Sequence, residues 1–257
     1  MSINLITGNE DAKRAVVNQL RMNKSSGTYL FYGKKGAYLK EFALAFAKGI
    51  NCNESVHDFC DKCRVCENIN KEIYSDLHII SASEGTVKID QIRELIKNAS
   101  ETSYEIGKKV FIIEDVNKLR KEASNALLKI IEEPPKDTYF ILLANSLNIL
   151  PTIKSRSLAI EIQKLTHEEL GVEESLYNFF LGDVKDIREF KSGAYTLSKE
   201  SYKNTAIYMK EYLETGEFLP KIRAYGALED FILEKSYISE IDKIAFFQFL
   251  QNFSKNI

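Results

Sequence analysis

The sequence predicts an α/β domain, a parallel sheet with helices on both faces, followed by small all-α domains. Three observations predict it. Short apolar runs alternate with helix-period segments between residues 11 and 162. The runs are only four or five residues long, as suits strands buried on both faces. Strand signals stop beyond Lys164. Strand–helix alternation of this kind places the helices in the crossovers, and crossovers make the sheet parallel.

The elements follow in order. Ala12, Ala15, Val16 and Leu20 recur at helical spacing over residues 11–22. Thr28 to Tyr32 reads as a short buried strand ending at Gly33, and Lys40 to Gly49 as an alanine- and phenylalanine-rich helix. Leu77–Ile80 is the next strand, and Ile89–Ala99 a helix with Asp90 in its first turn, where an acid suits the positive helix end. Val110–Ile113 is a strand, Glu122–Ile131 a helix and Tyr139–Leu143 a strand. Leu158–Ile162 alternates apolar and polar and closes the sheet. Thr166 with Glu169 three residues later forms a capping box that opens a helix. Gly193 reads as a break, and Tyr208/Tyr212 and Phe246/Leu250/Phe253 keep helical spacing. The expected domains are therefore 1–162, with a cysteine module at about 50–70, then helical domains at 163–198 and 199–257.

Composition narrows the function classes. The chain has 257 residues, 44% apolar and 28% charged, ordinary for a globular protein. Its net charge of −2 creates no field that would draw it onto nucleic acid. The basic side chains lie mostly before residue 160 and the C-terminal third is acidic, which favours protein partners over direct DNA binding. No apolar run is long enough to span a membrane, and the N-terminus lacks the basic-then-apolar pattern of an export signal. A cytoplasmic protein is expected.

A strand, a glycine and a helix form the setting of a phosphate-binding loop, GxxxxGK[ST], whose backbone amides cradle phosphate. Counted from Gly33, the second glycine falls on Tyr38, the lysine on Leu39 and the hydroxyl on Lys40. A bulky ring stands where backbone must approach phosphate, Leu39 brings no charge, and Lys40 cannot coordinate Mg²⁺. The metal-binding Asp and water-polarising Glu expected after the Val110–Ile113 strand are inverted here, as Glu114 then Asp115. Phosphoryl transfer is catalysed almost wholly by positioning and electrostatics. With both elements degenerate, neither ATP binding nor hydrolysis is expected.

All four cysteines, Cys52, Cys60, Cys63 and Cys66, fall within fifteen residues as C-x7-C-x2-C-x2-C. Four thiolates closing a compact loop match a structural Zn²⁺ site, with Lys62 and Arg64 near enough to offset its charge. Unpaired thiols and an iron–sulfur cluster stay open at this point, although the C-x2-C-x2-C-x3-C-P run is absent. A nucleic-acid-binding finger is disfavoured by Glu54, Asp58, Asp61 and Glu67 around the ligands.

Two further segments carry a resemblance. Asn125–Pro135 reads Asn-Ala-Leu-Leu-Lys-Ile-Ile-Glu-Glu-Pro-Pro, and Lys154-Ser155-Arg156-Ser157 follows it. With Ile6-Thr7-Gly8-Asn9-Glu10, Ser75-Asp76-Leu77-His78 and Val87 to Arg93 in the same order, residues 5 to about 162 resemble the bacterial DNA polymerase III clamp-loader subunits. These are AAA+ proteins, and the degenerate loop resembles their delta-prime branch more than the gamma/tau ATPases. The resemblance implies a rigid, non-hydrolysing subunit that supports ATP-dependent loading of the sliding clamp onto primed DNA. It implies zinc on the four cysteines, and Arg156 as an arginine finger acting in trans on a neighbour's nucleotide. Ser157 departs from the cysteine usual after that arginine. Implied partners are the gamma/tau and delta subunits and, through the complex, the clamp and primer–template DNA. The implied helical domains are a lid and a collar, the latter short here. An active gamma/tau-type ATPase and a zinc-bearing nucleic-acid module remain as alternatives.

Overall fold

The order of hydrogen-bonded strands, β2-β3-β4-β1-β5, defines the architecture of this computed structural model, and every pairing is parallel. The strands are β1 (Gly27–Tyr32), β2 (Leu77–Ile80), β3 (Lys109–Ile113), β4 (Thr138–Ala144) and β5 (Leu158–Glu161). The helices are α1 (Glu10–Met22), α2 (Leu39–Asn51), α3 (Arg64–Asn70), α4 (Ile89–Ser100), α5 (Lys121–Glu132), α6 (Pro151–Lys154) and α7 (His167–Leu170). The structure describes residues 2–188, apart from 35, 83–85, 102, 105–106, 147–148 and parts of 173–186. The chain divides into two compact units, Met1–Leu165 and Thr166–Ile257.

Every predicted strand and long helix of the first unit is present, with ends shifted by at most two residues. β3 and β4 are buried along their whole length, as central strands covered on both sides must be. Leu30, Phe111, Phe140 and Leu142 point to one face, where they pack with Ile92 and Leu95 of α4 and Leu127 of α5. Tyr29, Phe31 and Tyr139 point to the other, where the Tyr29 and Tyr139 rings stand 4.6 and 6.2 Å from that of Phe46 on α2. His78, Phe111 and Phe140 are paired across three strands and stack in a row, with ring centroids 4.7 and 5.3 Å apart.

Polar groups inside this unit have specific partners. Lys109 is buried at the start of β3, where its ammonium donates to the Asn98 and Glu101 carbonyls at the end of α4. The negative end of a helix is where such a cation is best accommodated. Buried Asp76 accepts from the Tyr104 amide at 3.0 Å. Asn9 closes the unit by exchanging hydrogen bonds with the backbone of Gln163, at 2.9 and 2.6 Å.

Among the described residues, the structure adds two α-helices the sequence pattern did not reveal. α3 lies inside the cysteine module, and α6 lies just before Arg156. The capping box at Thr166 and Glu169 is present, but α7 lasts one turn before Gly171 at φ +59°. The expectations at Gly193, Tyr208/Tyr212 and Phe246/Leu250/Phe253, all of 199–257 and much of 163–198 lie outside the described residues.

Candidate functional site

Three constellations in the first unit bear chemistry. The first lies at the carboxyl edge of the sheet. The chain leaves β1 toward β2 at one side and crosses from β4 to β5 at the other, so a topological switch point lies between β1 and β4. Open α/β sheets bind ligands in the crevice at such a point. Here the loop after β1 leads to that edge. Tyr38, just before α2, is 3% exposed. The Ala37 amide donates to the Lys34 carbonyl at 3.0 Å and the Leu39 amide to the Ala37 carbonyl at 2.8 Å, so two amides of the loop are engaged within it.

The charged side chains of this edge are paired with one another. Lys40 does not turn toward the loop; its ammonium lies 2.8 Å from a Glu72 oxygen and 3.2 Å from a Glu114 oxygen. Burial pulls its pKa down, but the two carboxylates outweigh that and hold it above the ordinary lysine value. Glu114 also accepts from the Ser81 hydroxyl. Asp115 sits in the left-handed region at φ +52° and accepts from Asn145 at 2.8 Å and from Lys118 at 2.9 Å. Sequence reasoning singled out Gly33, Tyr38, Leu39, Lys40, Glu114 and Asp115, and missed Glu72, Ser81 and Asn145. Glu72 is remote in sequence and ends the cysteine module, so no local pattern signals it.

Gly33 is retained for packing. A Cβ there would fall 2.1 Å from the Ile162 carbonyl oxygen, so only glycine lets the end of β1 lie against the end of β5.

The second constellation is the cysteine module. The structure brings Cys52, Cys60, Cys63 and Cys66 together, with all four sulfurs within 4.8 Å of one another. Four sulfurs around a tetrahedral zinc stand about 3.8 Å apart, given a Zn–S bond of about 2.3 Å. The donor set therefore fits a metal ion, and with four protein ligands it has no open position for a substrate. Backbone amides help: those of Lys62 and Cys63 donate to Cys60 Sγ at 3.4 and 3.3 Å, and that of Cys66 to Cys63 Sγ at 3.5 Å. The two amides lower the Cys60 thiol to about 7, whereas burial pushes Cys66 up. Cys52 caps the C-terminal end of α2.

The module is tied to the body at several points. Asp58 accepts from the Ile3 amide at 2.9 Å, and His57 Nδ1 lies 3.0 Å from the Leu20 carbonyl. Lys62 and Arg64 are exposed; the buried cation is Lys48, paired with Asp61 and 4.1 Å from the centre of the Phe59 ring.

The third constellation is Arg156, just beyond α6. Its Nε and Nη2 donate to the two oxygens of Glu132 at 2.9 and 3.2 Å, a side-on, two-pronged ion pair. Nη1 donates to the Thr152 carbonyl at 3.1 Å. The side chain is 30% exposed, so its outer edge faces solvent. The pair joins the two segments that stood out in the sequence, yet Glu132 drew no attention there as a partner. Its one signal is an acid on the last residue of a helix, where the dipole disfavours negative charge.

The family model described as DNA polymerase III, delta subunit, matches residues 8–166, which contain all three constellations. The chain belongs to that family. Among relatives of this delta-subunit family member, the Bacillus subtilis DNA polymerase III subunit delta' is 35% identical over 153 residues, 59% of this chain and 46% of its own length. The gamma subunit of Buchnera aphidicola from Schizaphis graminum is 32% identical over 209 residues, 80% of this chain and 54% of its own length. The chain thus spans about half the length of these two relatives. A crystal structure of a gamma-subunit-related DNA polymerase III protein from Thermotoga maritima superposes with TM-score 0.51 at 21% identity, covering 94% of this chain and 78% of the other. That likeness carries the fold and no more. Among the described residues, no helix is long and apolar enough to cross a membrane.

Proposed function

We propose that this chain is a non-hydrolysing, delta-prime-type subunit of the bacterial clamp loader, which supports ATP-dependent loading of the sliding clamp onto primed DNA. One observation supports the reading: at the loop positions where phosphate contacts are expected, the side chains are buried or paired within the chain. Tyr38 is buried, and Lys40 is held by Glu72 and Glu114 rather than free for phosphate. The carboxylate that would polarise water, Asp115, is held by Asn145 and Lys118.

Arg156 supplies the activity that remains. A guanidinium is always charged and matches phosphate oxygens in pairs, and from a neighbouring subunit it stabilises transition-state charge by roughly 10³- to 10⁵-fold in rate in related systems. The four cysteines hold a structural Zn²⁺. The partners are gamma/tau-type ATPase and delta subunits, with clamp and DNA engaged through the complex, in the cytoplasm. The helical parts beyond residue 162 serve as lid and collar.

A gamma-type ATPase is the second reading, favoured by the longer match to the Buchnera gamma subunit. Titration of the purified full chain with labelled ATP separates the two. No saturable binding in the micromolar range is expected, and a clear isotherm would overturn the first reading. In a reconstituted complex, Arg156→Ala is expected to assemble normally and to lower clamp- and DNA-stimulated ATP turnover clearly. Unchanged turnover would remove the trans-acting role.

A further inference from the structure

We propose that Glu132 is the positioning residue for Arg156: its carboxylate fixes the guanidinium side-on, so that the end of the fork is presented to an anion on a neighbouring subunit. The inference rests on the arginine-finger reading above and deepens it. Glu132 occupies Nε and one hydrogen of Nη2, at 2.9 and 3.2 Å, while the Thr152 carbonyl holds Nη1 at 3.1 Å. The guanidinium is thus held by contacts on two sides, with donor capacity left on Nη2 for an incoming oxygen.

The placement of Glu132 argues against a purely stabilising role. It is the last residue of α5, where a negative charge opposes the helix dipole. It is also 54% exposed on its side chain, so an ion pair there adds little to folding. What the contact does accomplish is to order a long side chain that would otherwise sample many rotamers. Ordering such a chain in advance removes a cost that would fall on the interaction with the neighbour's phosphate. Glu133 caps the helix and Pro134 and Pro135 follow it, so the helix cannot continue past the carboxylate. The hydrogen bond from Arg156, and then its charge, hold the Glu132 carboxyl below its usual pKa.

The test is a double-mutant cycle in the reconstituted complex, containing the full chain, its ATPase neighbours, clamp and primed DNA, with ATP turnover as the readout. Arg156→Ala lowers turnover on the finger reading. Glu132→Ala is expected to lower the maximal rate about three- to tenfold with little change in KM for ATP. The thermal midpoint of the isolated chain should move by less than about 2 °C. In the Arg156→Ala background, Glu132→Ala should have no further effect, because Glu132 acts only through that arginine. Parental or faster turnover in Glu132→Ala, with Arg156→Ala impaired, overturns the positioning role and leaves the finger. A double variant clearly slower than Arg156→Ala also overturns it. Parental turnover in Arg156→Ala removes the finger and the positioning role together.

Discussion

Replacing Gly33 by alanine tests whether the first glycine of the degenerate loop serves the fold. The added Cβ would lie 2.1 Å from the Ile162 carbonyl oxygen and 3.1 Å from Ala37 Cβ, where real contacts of this kind do not close below 3.0 Å. The obstructing atom belongs to the backbone, so no side-chain rotation relieves the clash. The end of β5 must move by roughly 1 Å, and overpacking of this kind costs about 1–3 kcal/mol. The same movement strains the hydrogen bond from the Ile162 amide to the Tyr32 carbonyl, 2.8 Å long, which is worth about 1 kcal/mol. The expected loss is therefore about 2–4 kcal/mol, or about 1 M in urea midpoint for a slope of 2–3 kcal/mol/M. Equilibrium unfolding of the full chain followed by circular dichroism measures it, and hydrogen exchange at the Ile162 amide should quicken. If Gly33→Ala unfolds at the parental midpoint with Ile162 still protected, the close approach of β1 and β5 is not why glycine stands there.

Other consequences are open to direct measurement. Elemental analysis should give about one zinc per chain, and Cys66→Ser should lose it along with several degrees of thermal midpoint; retention of the metal would exclude the four-cysteine assignment. His78 is depressed below its ordinary pKa, chiefly by burial, while Asp76 raises it and Lys109 lowers it. Its neutral form therefore contributes fully above the unfolded value of about 6.5, and that contribution fades as pH falls below it, because the unfolded chain takes up the proton more readily. His78→Phe keeps the stack on Phe111 and should flatten the decline in urea midpoint between pH 7.5 and 5.5; an unchanged slope would assign the decline elsewhere. Asp137 behaves oppositely in range: its hydrogen bond from Lys108 holds the carboxyl low, so its contribution persists to below about pH 4.

The parts legible in the sequence were those with a strong local period. Seven consecutive buried residues in β4 and the alternating faces of α1, α4 and α5 leave little choice of element. Strand order was not legible, because pairing joins β1 to β4 across more than a hundred residues. α3 escaped because its seven residues yield only Cys66 and Ile69 as a buried face, too few to show a period. Pro151 occupies the first position of α6, but one turn beside a loop carries almost no pattern. In the site, residue identity marked Tyr38 and Leu39 as departures from the phosphate-loop pattern. What replaced the missing contacts, Glu72 on Lys40 and Asn145 on Asp115, depends on tertiary neighbours that no spacing encodes.

Helix α2 begins directly after Tyr38 and ends at Cys52. Its thirteen residues form a rod about 20 Å long. One tip adjoins a buried tyrosine and the other ends at one of the four clustered cysteines, so the two ends cannot shift independently of one helix. A single rigid element thus spans from the loop at the carboxyl edge of the sheet to the four-cysteine cluster.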